Sequence, residues 1–189
     1  MRKLRGMHWC GVAGAAGFVL VFLLNDAVKP NYEPIRDFVS EAAIGPGGWV
    51  QITNFLVAGA LLTVSSVALS RAVSRWTGRL IGIYGVCLAA AGVFVADPVP
   101  SDRGTWHGLA HNLVSLVVFA ALTAACFTAS RWRPTPTWRW YCYATGVAVP
   151  VLFVITGAVS GTTGLWQRLC IVVGWTWLVA LHLRAMRES

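Results

Sequence analysis

Asp97, His107 and His111 are the residues of this chain whose types and spacing most directly suggest chemistry. The two histidines stand at i and i+4, so on a helix they share one face. That spacing suits two ligands of one divalent ion, zinc above all, with Asp97 as the third. The pattern is HxxxH. Gly108 and Leu109 fill its inner positions, so it lacks the general-base glutamate of a zincin. Two simpler readings stay open: hydrogen-bonding histidines at a membrane interface, or an ion pair with Asp97. No cofactor is fixed by the sequence; zinc is the one it admits.

Glu41 and Arg168 extend the set. A partly buried carboxylate at Glu41 or Asp97 is raised toward neutrality and can serve as a general acid. His107 or His111 would be the base or proton relay. A buried Arg168 needs a carboxylate, Glu41 or Asp97, or it orients an anionic headgroup. Asp37, Ser40, Asn54, Trp106, Asn112, Trp166 and Gln167 are the expected substrate-binding neighbours.

The elements that must position these groups are membrane helices. Hydrophobic residues make up 57% of the 189-residue chain and charged residues 12%, with mean hydropathy +0.64. A soluble domain of this length carries about twice that charge fraction. Six apolar runs, about 9–25, 49–69, 80–96, 107–129, 141–160 and 165–183, are each long enough to cross a hydrocarbon core of roughly 30 Å. The expectation is a single all-α domain over residues 1–189, a bundle of six transmembrane helices. The first run has a basic start but no good small-x-small cleavage site, so it reads as a retained span rather than a signal peptide.

Eleven Lys and Arg fall on the side of the termini (residues 2, 3, 5, 71, 75, 79, 131, 133, 139, 184 and 187). Four fall opposite: Lys29, Arg36, Arg103 and Arg168. The positive-inside rule therefore puts both termini in the cytoplasm. The net charge of +8 sits in short loops beside the spans, which argues for membrane topology and against nucleic acid. Six of seven acids, Asp26, Glu33, Asp37, Glu41, Asp97 and Asp102, fall outside. Acids contribute little to orientation, so their skew needs another cause. Eight of ten tryptophans lie at span ends, as an interfacial belt requires, and only Trp175 and Trp177 lie deeper. The five cysteines form no CxxC pair and read as packing residues.

In the first outer loop, "EPIRDFVSEAAIGPGG" predicts a short amphipathic helix begun by Pro34 and ended by Gly and Pro. Pro98 and Pro100 stop span three at Asp97. Asn54, Asp97, His107, His111, Gln167 and Arg168 then all lie within about 8 Å of the outer boundary. Such groups are costly in lipid, so they should converge inside the bundle.

"FVSEAAIGPGGWVQITNF", "GVFVADPVP", "HGLAHNLVS" and "GLWQRL", in that order, resemble the bacterial integral-membrane family known as domain of unknown function 998. The resemblance implies about six spans and a shared polar site. Its matching positions here are Ser40, Glu41, Asn54, Asp97, His107, His111, Gln167 and Arg168. It implies no activity. A weaker likeness is to intramembrane zinc hydrolases of the alkaline ceramidase type, although this chain lacks their third outer ligand histidine and their seventh span.

The functional expectation is an intramembrane enzyme of the bacterial cytoplasmic membrane, its polar layer facing the extracytoplasmic side. It would use acid–base groups on an apolar lipid or isoprenoid, as a membrane terpene cyclase does. A metal-dependent intramembrane hydrolase (Asp97, His107 and His111 as ligands) and a non-catalytic transporter or sensor are the alternatives. The expected partners are membrane lipids and an apolar small molecule; the oligomeric state is not readable.

Overall fold

The computed structural model describes residues 2–99 and 104–188; Pro100, Asp102 and Arg103 lie outside the described residues. It is all-helical, and no strand occurs among those residues. Six helices cover nearly all of it: α1 (Arg2–Val28), α2 (Gly48–Ala72), α3 (Arg75–Val93), α4 (Trp106–Ala129), α5 (Pro136–Ala158) and α6 (Thr163–Glu188). Each is long and apolar enough to cross a membrane. They run up and down, each packing on its neighbour in sequence, and α6 closes the ring on α1. Both termini thus lie at one end, and the 29–47 loop lies at the other.

Local chemistry sets the ends. Ser74, Thr105 and Thr135 cap α3, α4 and α5 by accepting the backbone N–H three residues on, and Pro136 opens α5 where its missing N–H costs nothing. Gly47, at φ 75°, turns the chain into α2. The predicted outer amphipathic helix is reduced to a five-residue 3-10 helix, Val39–Ala43, preceded by turns. Pro34 does not start it and Ile35 points outward. The carbonyls that such a helix would use internally are committed elsewhere, as the site shows.

The centre of the ring is aromatic and aliphatic: Phe18, Phe22, Leu62, Tyr84, Leu122, Trp175, Trp177 and Leu181 are all buried to 2% or less. Trp138 leaves the interfacial belt as well. It is buried against Trp177 and donates its indole N–H to Ala129 O at 3.0 Å. Small residues bring α2 and α3 together. Gly78, Gly85 and Gly92 recur every seven residues on α3 and meet the α2 backbone or side chains at close range. The "GAVSG" stretch ending α5, by contrast, is exposed and packs nothing. A Cβ on Gly85 would lie 2.6–2.7 Å from Thr63 Oγ1, Thr63 N and Gly59 O. Gly85→Ala must push two helices apart, and the expected loss is about 1–3 kcal/mol in detergent thermal unfolding, an overpacking cost.

Candidate functional site

Arg168 organises the loop end of the bundle. Its Nε and Nη2 donate to the two Asp26 carboxylate oxygens at 2.8 Å each. Nη2 also reaches the Tyr32 hydroxyl, and Nη1 donates to Asp37 O and Gly164 O at 3.0 Å. All five guanidinium N–H groups are therefore occupied. The expected partners Glu41 and Asp97 are not used. The partner is Asp26 near the end of α1, and the pair is nearly closed to solvent, with side chains 10% and 9% exposed. Tyr32 passes its own proton to Phe38 O, and burial raises its phenol above the ordinary range. Arg168 is thus a clamp, not a free anion receptor.

The same loop caps α6. Gly164 and Leu165 donate to the carbonyls of Arg36 and Ile35, so that loop backbone satisfies N–H groups an isolated helix leaves open. A Cβ on Gly164 would strike Asp37 O at 2.3 Å and Pro34 O at 2.4 Å, which accounts for the glycine. Gln167 accepts from Val39 N at 2.6 Å and fixes the 3-10 helix onto α6. Glu41 then bridges outward, one oxygen accepting from Phe38 N and the other from Val99 N, both at 2.7 Å. Burial raises the Glu41 carboxyl, against the pull of those two bonds.

Helix α3 stops at Val93, four residues short of Asp97, which sits in the connecting segment. Asp97 accepts both the Thr105 N–H and the Thr105 hydroxyl at 2.7 Å. It therefore lies over the N-terminus of α4, where an anion is favoured. These bonds, with His107 nearby, hold its carboxyl below the usual range. Gly108 makes the approach possible, since a Cβ there would fall 2.1 Å from Asp97 Oδ2. Gly108→Ala is expected to expel Asp97 and destabilise the fold. In an Asp97→Ala background the same substitution should cost little, because the clash is gone. The sign of the pH effect follows from the lowered value. The Asp97 contribution is present above its unfolded pKa and lost as pH falls through the folded one. An acid-side loss of thermal stability that Asp97→Asn abolishes would measure it.

The histidines serve the end of α3. His107 Nδ1 lies 2.9 Å from Val95 O, and its nearest approach to Asp97 is 3.9 Å. His111 Nδ1 lies 3.0 Å from Ala91 O and 2.7 Å from Phe94 O. Carbonyls only accept, so these nitrogens carry the hydrogens. The expected Asp97–His107–His111 ligand set is thus not assembled: the carboxylate and both Nδ1 atoms face other partners. Among the described residues no group of three or more His, Cys, Asp or Glu converges for a metal.

One predicted group opens inward. With Nδ1–H tied to the α3 carbonyls, neutral His111 presents a bare Nε2 lone pair. The side chain is buried and borders a central cavity with Phe18, Phe55, Ser115, Phe119 and Trp175. Only about 30 Å³ of it is wide enough to seat water. The space is a slot rather than a chamber. Ser40 and Gln167 line its loop end. Buried Trp175, at the far end, has an indole N–H with no acceptor.

The remaining candidates scatter. Asn54 donates to Phe18 O at 3.1 Å and borders a groove between α1 and α2. Asp37 accepts from Glu33 N. Trp106 is 74% exposed, Asn112 is exposed and Trp166 is half-buried, and none of them borders the central cavity.

Sequence reasoning missed Asp26, Tyr32, Ser115 and a second histidine pair. His8 and His182 are both buried, with Nδ1 atoms 3.1 Å apart. His182 Nε2 lies 3.3 Å from Ser65 Oγ, whose hydrogen goes to Leu62 O. The chain of donors therefore runs His8 to His182 to Ser65 to Leu62, with each ring neutral. Gly11 makes room for it, since a Cβ there would overlap the His182 ring. The available signal was that each histidine lies within a turn or two of an apolar run.

A family model described as "Protein of unknown function (DUF998)" matches residues 12–184, nearly the whole chain. No curated protein and no solved structure matches.

Proposed function

Because the chain belongs to the DUF998 family of proteins of unknown function, we propose that it is an intramembrane enzyme performing acid–base chemistry on an apolar, lipid-borne substrate, with His111 handling the proton. The observation that carries the reading is the fixed tautomer of His111. Its Nδ1 is held by Ala91 and Phe94, which leaves Nε2 as the acceptor, and the side chain borders an aromatic-walled slot. An imidazole oriented by a hydrogen bond on its other nitrogen is the usual form of a general base. In the orientation set by the basic residues, the slot lies toward the extracytoplasmic side of a bacterial cytoplasmic membrane.

A terpene cyclase mechanism asks for a carboxylic acid in the cavity. Glu41 spends its oxygens on two backbone N–H groups and Asp97 on the Thr105 N–H and hydroxyl, and neither borders the slot. His111, acting first as base and then as acid, fits an isomerisation or proton transfer better. Transport is less well supported. The His8–His182 pair does add polar groups at the terminal end, but buried Leu62, Leu122 and Leu178 lie at depths between it and His111.

Proteoliposomes holding native lipid extract in tritiated water test the proposal. Incorporation of label into a neutral lipid, dependent on the protein and lost with His111→Asn, is the expected result. Equal labelling by the variant would reject it.

A further inference from the structure

The slot contains no free charge. Arg168 has spent all five donors. Asp26 gives both oxygens to Arg168, and Glu41 and Asp97 are held by backbone N–H groups. None of these four borders the slot. The polar residues that do border it are neutral: His111, whose Nε2 is left as an acceptor, Ser40, Ser115, Gln167 and Trp175. His111 and Ser115 stand one turn apart on α4, so their Cβ atoms lie roughly 6 Å from each other. A single oxygen fits between the two side chains.

We propose that the slot selects a neutral long-chain alcohol, its hydroxyl donating to His111 Nε2 and accepting from Ser115 Oγ–H, its chain lying along Phe18, Phe55 and Phe119. This rests on the proton-handling role of His111 above and names the substrate class for it. A carboxylate, phosphate or ammonium head would be desolvated without a counter-charge. An ester or ketone accepts from Ser115 but has no hydrogen for Nε2. Of these heads, only the hydroxyl is uncharged and meets both groups.

The test is equilibrium binding of labelled 1-dodecanol, methyl dodecanoate, dodecanoic acid and dodecylamine to the full chain in nanodiscs, corrected for partition into protein-free discs. The expected result is dodecanol bound at least about tenfold tighter than the acid and the amine, with the ester between. Ser115→Ala should weaken dodecanol by about fivefold, the loss of one hydrogen bond. In nitrogen-labelled protein, the His111 Nε2 resonance should shift with the alcohol alone. Acid or amine binding as tight as the alcohol, or dodecanol binding unchanged in both Ser115→Ala and His111→Asn, would overturn the inference. Alcohol binding without any lipid turnover would sink the enzymatic reading and leave this one standing. Turnover through His111 of a lipid bearing no hydroxyl would do the reverse.

Discussion

Arg168→Leu is expected to lose about 3–5 kcal/mol of stability, enough to leave little folded protein after extraction in mild detergent. The reason is what it leaves behind. Asp26 is about one-tenth exposed, and both its oxygens point at the guanidinium. Without the arginine, a buried carboxylate has no partner. Asp26→Leu should cost nearly as much, because the cation is then uncompensated. The double variant Asp26→Leu/Arg168→Leu should be clearly more stable than the sum of the single losses predicts. An apolar pair buries no charge, and the coupling between contacting residues appears as that difference. Tyr32→Phe, which removes one hydroxyl from the cluster, should cost only about 1–2 kcal/mol. Detergent unfolding curves for the four proteins check the cycle. Additive losses would mean that Arg168 merely snorkels to the surface and that its bonds to Asp26 contribute nothing.

The clamp also defines what the outer polar layer does. Loop 34–37 gives three carbonyls to α6 and Arg168, Gln167 takes the Val39 N–H, and Glu41 takes Val99 N. Most of the charged groups at this end therefore join the loop segments to helix ends. Such groups carry a cost in or near lipid, and here it is offset by complete pairing. Once they are assigned, the polar side chains left bordering the central slot are uncharged, and His111 is the one among them that can act as a base.

Six helices were legible because apolar runs of the right length leave little else for the backbone to do in lipid. Their ends were harder. Asp97 was expected to finish a helix, but α3 stops at Val93 and the histidines of α4 take up its last carbonyls, an arrangement that depends on a neighbour distant in sequence. The partner of Arg168 was illegible for a related reason. Several carboxylates share its depth, and α1 runs three residues past Asn25, which brings Asp26 onto the inner face. His8 and His182 looked interfacial because the apolar runs stop near them, yet α1 begins at Arg2 and α6 continues to Glu188. Trp175 did carry a signal, being one of two tryptophans away from the span ends. What sequence could not supply was its unpaired N–H beside the slot.

The largest functional effect is expected at His111, and two substitutions separate its two roles. In the fold, Nδ1–H closes the carbonyls of Ala91 and Phe94. In the proposed reaction, Nε2 moves a proton. Asparagine places an N–H donor close to where Nδ1 stood and has no basic atom in the place of Nε2. His111→Asn should therefore keep most of the stability while lowering turnover about a hundred- to ten-thousandfold, the range for loss of a general base. His111→Leu removes both functions. It should lose the same turnover and also about 1–3 kcal/mol, since two buried carbonyls are left without a donor. The ratio between the variants is the informative quantity: equal activity and unequal stability mean that the base and the cap reside on different nitrogens. If His111→Asn instead retained wild-type turnover, the histidine would be a helix cap alone, and the chemistry would have to be sought among groups the slot does not contain.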